Sequence, residues 1–204
     1  MLATMSDHEQ PKDYEAPILL EGLDNSHPGL SNATARAFCA SACVCLKRHH
    51  APPKKISIET NNGSSQHLLV WTEPSQRDLN SNRNRQDATR DGAYAMALAC
   101  IERILDLVTV GRAEELTGAD WYVAPPGCGV MENGGPDLDD PTVIRLEVGG
   151  HDDRPSLAYE LKEKIRQLGA GESEKPGVAA VVGFKVCRIL IQTHVQPGRP
   201  ATEK

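Results

Sequence analysis

The sequence predicts a mixed α/β fold, and three observations predict it. From Thr89 onward the elements run helix, three strands, helix, strand. Two segments repeat apolar side chains at helical spacing: Tyr94, Ala97, Leu98, Ile101, Ile104 and Leu105, then Leu157, Leu161, Ile165 and Leu168. Gly177 to Phe184, "GVAAVVGF", is a near-continuous apolar run, as expected of a central strand covered on both faces. Three consecutive strands pair as a meander. The second helix then crosses over and brings the last strand back parallel to an inner one, giving a mixed αβββαβ sheet with helices on it.

Residues 1–30 are polar and broken by Pro and Gly, the pattern of a flexible arm. Ser31 to His50 is helical, capped by Ser31 or Asn32 and ended by Pro52-Pro53. Lys54 to Thr60, "KKISIET", alternates like a strand; Asn61 to Gly63 is a turn; His67 to Thr72 is the returning strand. Residues 31–72 thus form a small lobe of one helix and one β-hairpin, and the polar, aperiodic residues 73–86 are a linker. The core spans 87–195. Its first helix, about Thr89 to Leu107, is capped by Asp87 or Thr89. Strands follow at Leu107–Glu114, Ala119–Pro125 and Thr142–Val148, with a loop rich in Gly, Pro and Asp from Gly127 to Pro141. A helix begins near Pro155, where proline suits the first turn. "CRILIQTHV" is a final strand, and 196–204 a disordered tail.

The 204 residues are 39% hydrophobic and 25% charged, a globular composition. The formal net charge of −6 argues against strong non-specific binding to nucleic acid. A local basic segment, Arg77, Arg83, Arg85 and Arg90, stays open as a phosphate contact or as a merely solvated run. No stretch approaches the roughly 20 apolar residues of a membrane span, and the first residues lack the basic and apolar regions of a secretory signal. The six Cys fall mostly in apolar helical or strand patterns, which suits reduced thiols in a cytoplasmic protein.

Two acids stand where a strand rarely places one. Asp120 precedes Trp121-Tyr122-Val123, and Glu147 lies between Leu146 and Val148, pointing away from their face. Neighbouring strands in the right register set the two carboxylates side by side. Their repulsion is relieved by a divalent cation, and Mg²⁺ suits one or two carboxylates. The structural alternatives are a turn Asp bonded to nearby backbone and a solvent-facing Glu paired with Arg145 or Arg112.

This order of elements, with "GAD" ending at Asp120 and an acid at Glu147, resembles the PD-(D/E)xK, or restriction-endonuclease-like, nucleases over roughly Asp87 to Val195. The resemblance implies a nuclease-like core, Mg²⁺ or Mn²⁺ held by Asp120 and Glu147, and Asp91 as the acid that opens the first helix. It also implies a lysine two residues after Glu147, where this chain has Gly149. Some members take that amine from the following helix. Lys162 and Lys164 both flank its apolar stripe, and Lys162 is expected to supply it. Asp91 has a bland alternative as a favourable charge at a helix N-terminus, and Lys162 as a solvated lysine. Glu102 lies on nearly the same helix edge as Asp91, too far along to share its site.

Other patterns lead to less. Cys39, Cys43 and Cys45 sit on one helix and cannot converge on one ion, so they read as small buried hydrophobes and not as a zinc site. Gly135 to Asp140 lacks the ligand spacing of a calcium loop. His151-Asp152-Asp153 reads as the turn before the second helix. The expected function is metal-dependent processing of nucleic acid. Its rivals are a catalytically degenerate module of the same fold that binds protein or nucleic acid, and an N-terminal lobe acting as a homo-oligomer or partner interface.

Overall fold

The computed structural model describes residues 16–195. The first half of the expected arm and the expected tail, 196–204, lie outside them. The described chain is mixed α/β: one eight-stranded mixed sheet and five helices. The strands are β1 (Ile18–Leu19), β2 (Lys54–Thr60), β3 (Gly63–Val70), β4 (Val108–Arg112), β5 (Trp121–Ala124), β6 (Ile144–His151), β7 (Gly177–Gly183) and β8 (Arg188–Val195). The helices are α1 (Leu23–Ser26), α2 (Asn32–Lys47), α3 (Gln76–Ser81), α4 (Arg85–Leu105) and α5 (Ala158–Ala170). The spatial order of strands is β1-β3-β2-β8-β7-β6-β5-β4.

The expected meander forms: β4 pairs antiparallel with β5, and β5 with β6. The crossover through α5 then lays β7 parallel to β6. The partner is β6, the last strand of the meander, because β5 is already paired on both edges, by β4 and β6. β7 is buried along its whole length, which explains its unbroken apolar sequence.

Three local expectations change. Residues 16–30 are packed: Ile18, Leu20, Leu23, His27 and Leu30 are buried, and β1 runs parallel to β3. Their apolar side chains are spaced by the turn around Gly22, so no single period betrays them. Residues 73–86 hold α3, started by a capping box in which Ser75 and Asp78 satisfy each other's backbone. Finally, α4 begins at Arg85, capped by the Asn84 side chain on the N–H groups of Gln86 and Asp87. Asp91 is therefore nearly two turns inside the helix and does not open it.

The hairpin β2–β3 continues the same sheet, since β2 pairs parallel with β8 from Ser57↔Arg188 to Thr60↔Ile191. α2 packs on α4, and both cover one sheet face in a single large core that includes Phe38, Met96, Leu98, Leu146, Val148 and Val182. α5 covers the other face through Leu161, Ile165 and Leu168, against Ala179 and Val195. Side chains alternate across a strand, so Leu146 and Val148 face α4 while Glu147 faces the α5 side.

Candidate active site

The register fixes the acid pair. Trp121 stands opposite Leu146, so one step along the antiparallel strands sets Asp120 opposite Glu147. The Asp120 N–H donates to the Leu146 carbonyl at 2.9 Å. Gly118 brings the chain to that point. Its φ of 70° is one an L side chain rarely adopts, and a Cβ there would sit 2.3 Å from the Gln167 carbonyl oxygen of α5. The glycine of "GAD" is thus required by close approach to the helix.

Both Asp120 oxygens are held. The Tyr94 hydroxyl donates to Oδ1 at 2.6 Å, and the Val148 N–H donates to Oδ2 at 2.9 Å. Tyr94 comes from α4, near the place in the helix where Asp91 was expected to contribute. It packs edge-on to Trp121 and against Phe38, and the Arg112 guanidinium lies 4.8 Å from its ring centre and 4.6 Å from that of Trp121. Arg112 also donates to the Tyr94 hydroxyl at 3.3 Å. The aspartate is therefore oriented by a short chain of donors running back into the core.

Glu147 is only 8% exposed. Burial, then the negative charge of Asp120 beside it, pushes its carboxyl up to about 8, and Lys164 only partly opposes the rise. Lys164 donates from Nζ to Glu147 Oε1 at 2.8 Å, both side chains being largely enclosed. This lysine, and not Lys162, completes the cluster. With Leu161 taken as the centre of the α5 stripe, Lys164 lies about 60° to one side and Lys162 about 100° to the other. Lys162 is exposed.

Gly149 explains the route. A Cβ built there would meet Glu160 Cγ at 3.0 Å and Lys164 Cε at 3.2 Å. The volume that a side chain at position 149 would fill is occupied by Glu160 and by the stem of Lys164. Glu160, one turn earlier on α5, pairs with His151 at 3.2 Å.

Comparison of this chain with protein-family models, with curated proteins and with solved structures finds no match. What the site can do has to be read from its own atoms.

Asp120, Glu147 and Lys164 meet; Asp91, Lys162 and Glu102 stay apart from them. Asp91 is engaged by Arg90 at 2.9 Å, and Glu102 faces the buried His27 at 3.2 Å. The partners first considered for Glu147 are committed elsewhere. Arg145, fully buried, donates to the Lys175 and Thr117 carbonyls at 2.8 and 2.6 Å, and Arg112 serves Tyr94. All six cysteines are free thiols; Cys39, Cys43 and Cys45 are buried, and desolvation raises each of these three. A cavity of about 430 Å³ opens on Asp120 and Glu147 beside Leu116 and Arg166, and a second of about 430 Å³ opens on Lys164, Gly149, Arg85 and Arg90.

Two hard oxygen donors on adjacent strands suit Mg²⁺ or Mn²⁺. Tyr94 and the Val148 N–H leave lone pairs on Asp120 that an ion could take, and among the described residues no third His, Cys, Asp or Glu joins the two acids. Tyr94 was the residue missed. An apolar-face tyrosine on α4 reads as core, and only the pairing of α4 with the β5 entry reveals its hydroxyl as a carboxylate donor.

Proposed function

We propose that this chain is a metal-dependent phosphodiester hydrolase of nuclease type on a restriction-endonuclease-like core. Asp120 and Glu147 hold Mg²⁺ or Mn²⁺, and Lys164 supplies the amine that Gly149 cannot. The observation that supports this most is the 2.8 Å approach of the Lys164 amine to Glu147 through the space above Gly149. The meander followed by a parallel crossover strand supports it as well.

When bound, the ion neutralises the carboxylate pair and offsets charge gathering on a phosphoryl oxygen. The chain's own groups do the rest. Tyr94 and the Val148 N–H hold Asp120 in one orientation. Glu147, whose carboxyl burial pushes up to about 8, would have to give up its proton before it could act as a ligand. Hydrolysis adds a water oxygen to phosphorus while a P–O ester bond breaks; the water loses a proton and the leaving oxygen gains one. The Lys164 ammonium, within reach of Glu147, orients that water and stabilises negative charge as it develops. The enclosed position of the pair makes each of these electrostatic effects larger than it would be in bulk water.

The test is cleavage of a panel of DNA and RNA substrates with Mg²⁺ or Mn²⁺ by the wild type, Asp120→Asn and Glu147→Gln. Cleavage by the wild type alone supports the enzyme. Equal inertness of all three overturns it.

One observation favours a non-catalytic binding module instead. Position 149, where the resemblance calls for a lysine, is glycine. Calorimetric titration with Mn²⁺ separates the two readings: saturable binding lost in both acid variants belongs to the enzyme, and its absence belongs to the module.

A further inference from the structure

We propose that the cavity between the end of α2, the α3–α4 turn and the start of α4 binds the phosphodiester backbone of a nucleic acid and continues the path of the substrate away from Lys164. The inference rests on the nuclease reading for the direction of that path, and on its own geometry for the ligand.

The cavity is about 380 Å³, and Lys47, Arg48, Arg83 and Arg85 line it over an apolar floor of Val44 and Leu79. No acid lines it, although the whole chain carries a formal charge of −6. The four cations come from two separate segments, 47–48 and 83–85, which the fold brings together. Their internal pairing leaves charge over. Arg48 and Arg85 share the single carboxylate of Asp152, at 2.9 and 3.4 Å, and His49 reaches the same acid at 2.9 Å. Lys47 pairs with Glu73 at 2.7 Å, with both side chains nearly half exposed. Arg83 is exposed and has no ion pair among the described residues.

Arg85 belongs to this cavity and to the neighbouring one that holds Lys164, Gly149 and Arg90. Asp152, Asp153 and Glu160 line that neighbouring cavity too, and Arg90 is paired with Asp91 and Asp87, so a phosphate chain leaving Lys164 finds its cationic surface at Arg85 and then at the cluster around Arg83. Planar guanidinium groups bind phosphate oxygens in pairs, which suits a repeating backbone better than a single point charge does. On this account α2 and α3 lie outside the catalytic core yet form part of its substrate track.

The experiment uses the full chain carrying Glu147→Gln, so that nothing is cut. Binding of a fluorescently labelled short duplex, and of a single strand of equal length, is followed by anisotropy between about 50 and 200 mM salt. Adding Arg83→Ala and Arg85→Ala together should weaken binding at least tenfold at the low end. It should also lower the slope of log affinity against log salt by about 2, one for each phosphate contact removed. Arg188→Ala, whose arginine pairs with Glu59 on β2, serves as the surface control and should change neither value. Arg83→Glu alone should weaken binding more than Arg83→Ala, and thermal melts show that each variant folds. Unchanged affinity and slope in the double variant overturn the proposal. So does displacement of the labelled strand by a poly-glutamate peptide at equal charge, which would assign the cavity to an acidic protein. If the wild type cleaves but the double variant binds undiminished, this inference alone fails. If binding needs both arginines and the wild type cleaves nothing, the nuclease reading alone fails.

Discussion

Glu147 and Arg85 carry opposite charges in opposite surroundings. The Glu147 side chain is 10% exposed and the Arg85 side chain 66%. Burial makes the first charge expensive enough that a proton competes for it, so its environment is read through pH. The second is hydrated, so it is read through salt. One chain therefore holds two electrostatic regions that answer to different variables, and what divides them is access to water.

The contrast can be broken most forcefully at the acids. Asp120→Asn and Glu147→Gln should each reduce metal-dependent cleavage by about a thousandfold or more, since each removes charge that the remaining groups cannot replace. Lys164→Ala should cost about 10²–10³ in kcat, while Lys162→Ala leaves cleavage within about twofold, both measured by single-turnover kinetics. A triple variant, Gly149→Lys with Glu160→Ala and Lys164→Ala, sharpens the point: once both helix side chains above position 149 are gone the new side chain has room, and part of the rate should return.

Stability gives the next largest effects. Gly118→Ala should cost about 2 kcal/mol or more by denaturant melting, through its left-handed backbone and the nearby Gln167 carbonyl. Glu147 gives a pH signature. The folded chain holds its proton more tightly than the unfolded chain, with a pKa of about 8 against 4.5. Its contribution to stability is therefore full below pH 4.5 and is lost as pH rises through about 8. The wild-type Tm should fall more steeply than that of Glu147→Gln across this window, and Mn²⁺ affinity should rise across it. Equal slopes for the two proteins would refute the buried, raised carboxyl. Arg83→Ala should change stability by no more than about 0.5 kcal/mol, the smallest effect here, because nothing inside the fold depends on it.

Much of the core was legible because its periods are clean. The α4 and α5 stripes, the alternation of β2 and the apolar run of β7 each follow from one local pattern. The acid pair was legible as well, since a carboxylate in the middle of a strand, like Glu147, defies its neighbours. The source of the amine was less so. Lys162 and Lys164 look alike on paper, and only the volume left by Gly149 decides between them. The basic cavity was half visible: Arg83 and Arg85 stand close in sequence, but Lys47 and Arg48 join them only when α2 packs on α4. Residues 16–30 gave little away, because a two-residue strand and a four-residue helix are too short to show a period.

The pairing of β2 with β8 means that the N-terminal elements are not an appendage. Removing everything through Gln86 would strip three strands and bare the backbone of β8, a ribbon of eight residues of which four are apolar. Such a fragment is expected to stick to copies of itself rather than persist as a lone particle. Anyone wishing to simplify this molecule should shave side chains, not sever the chain.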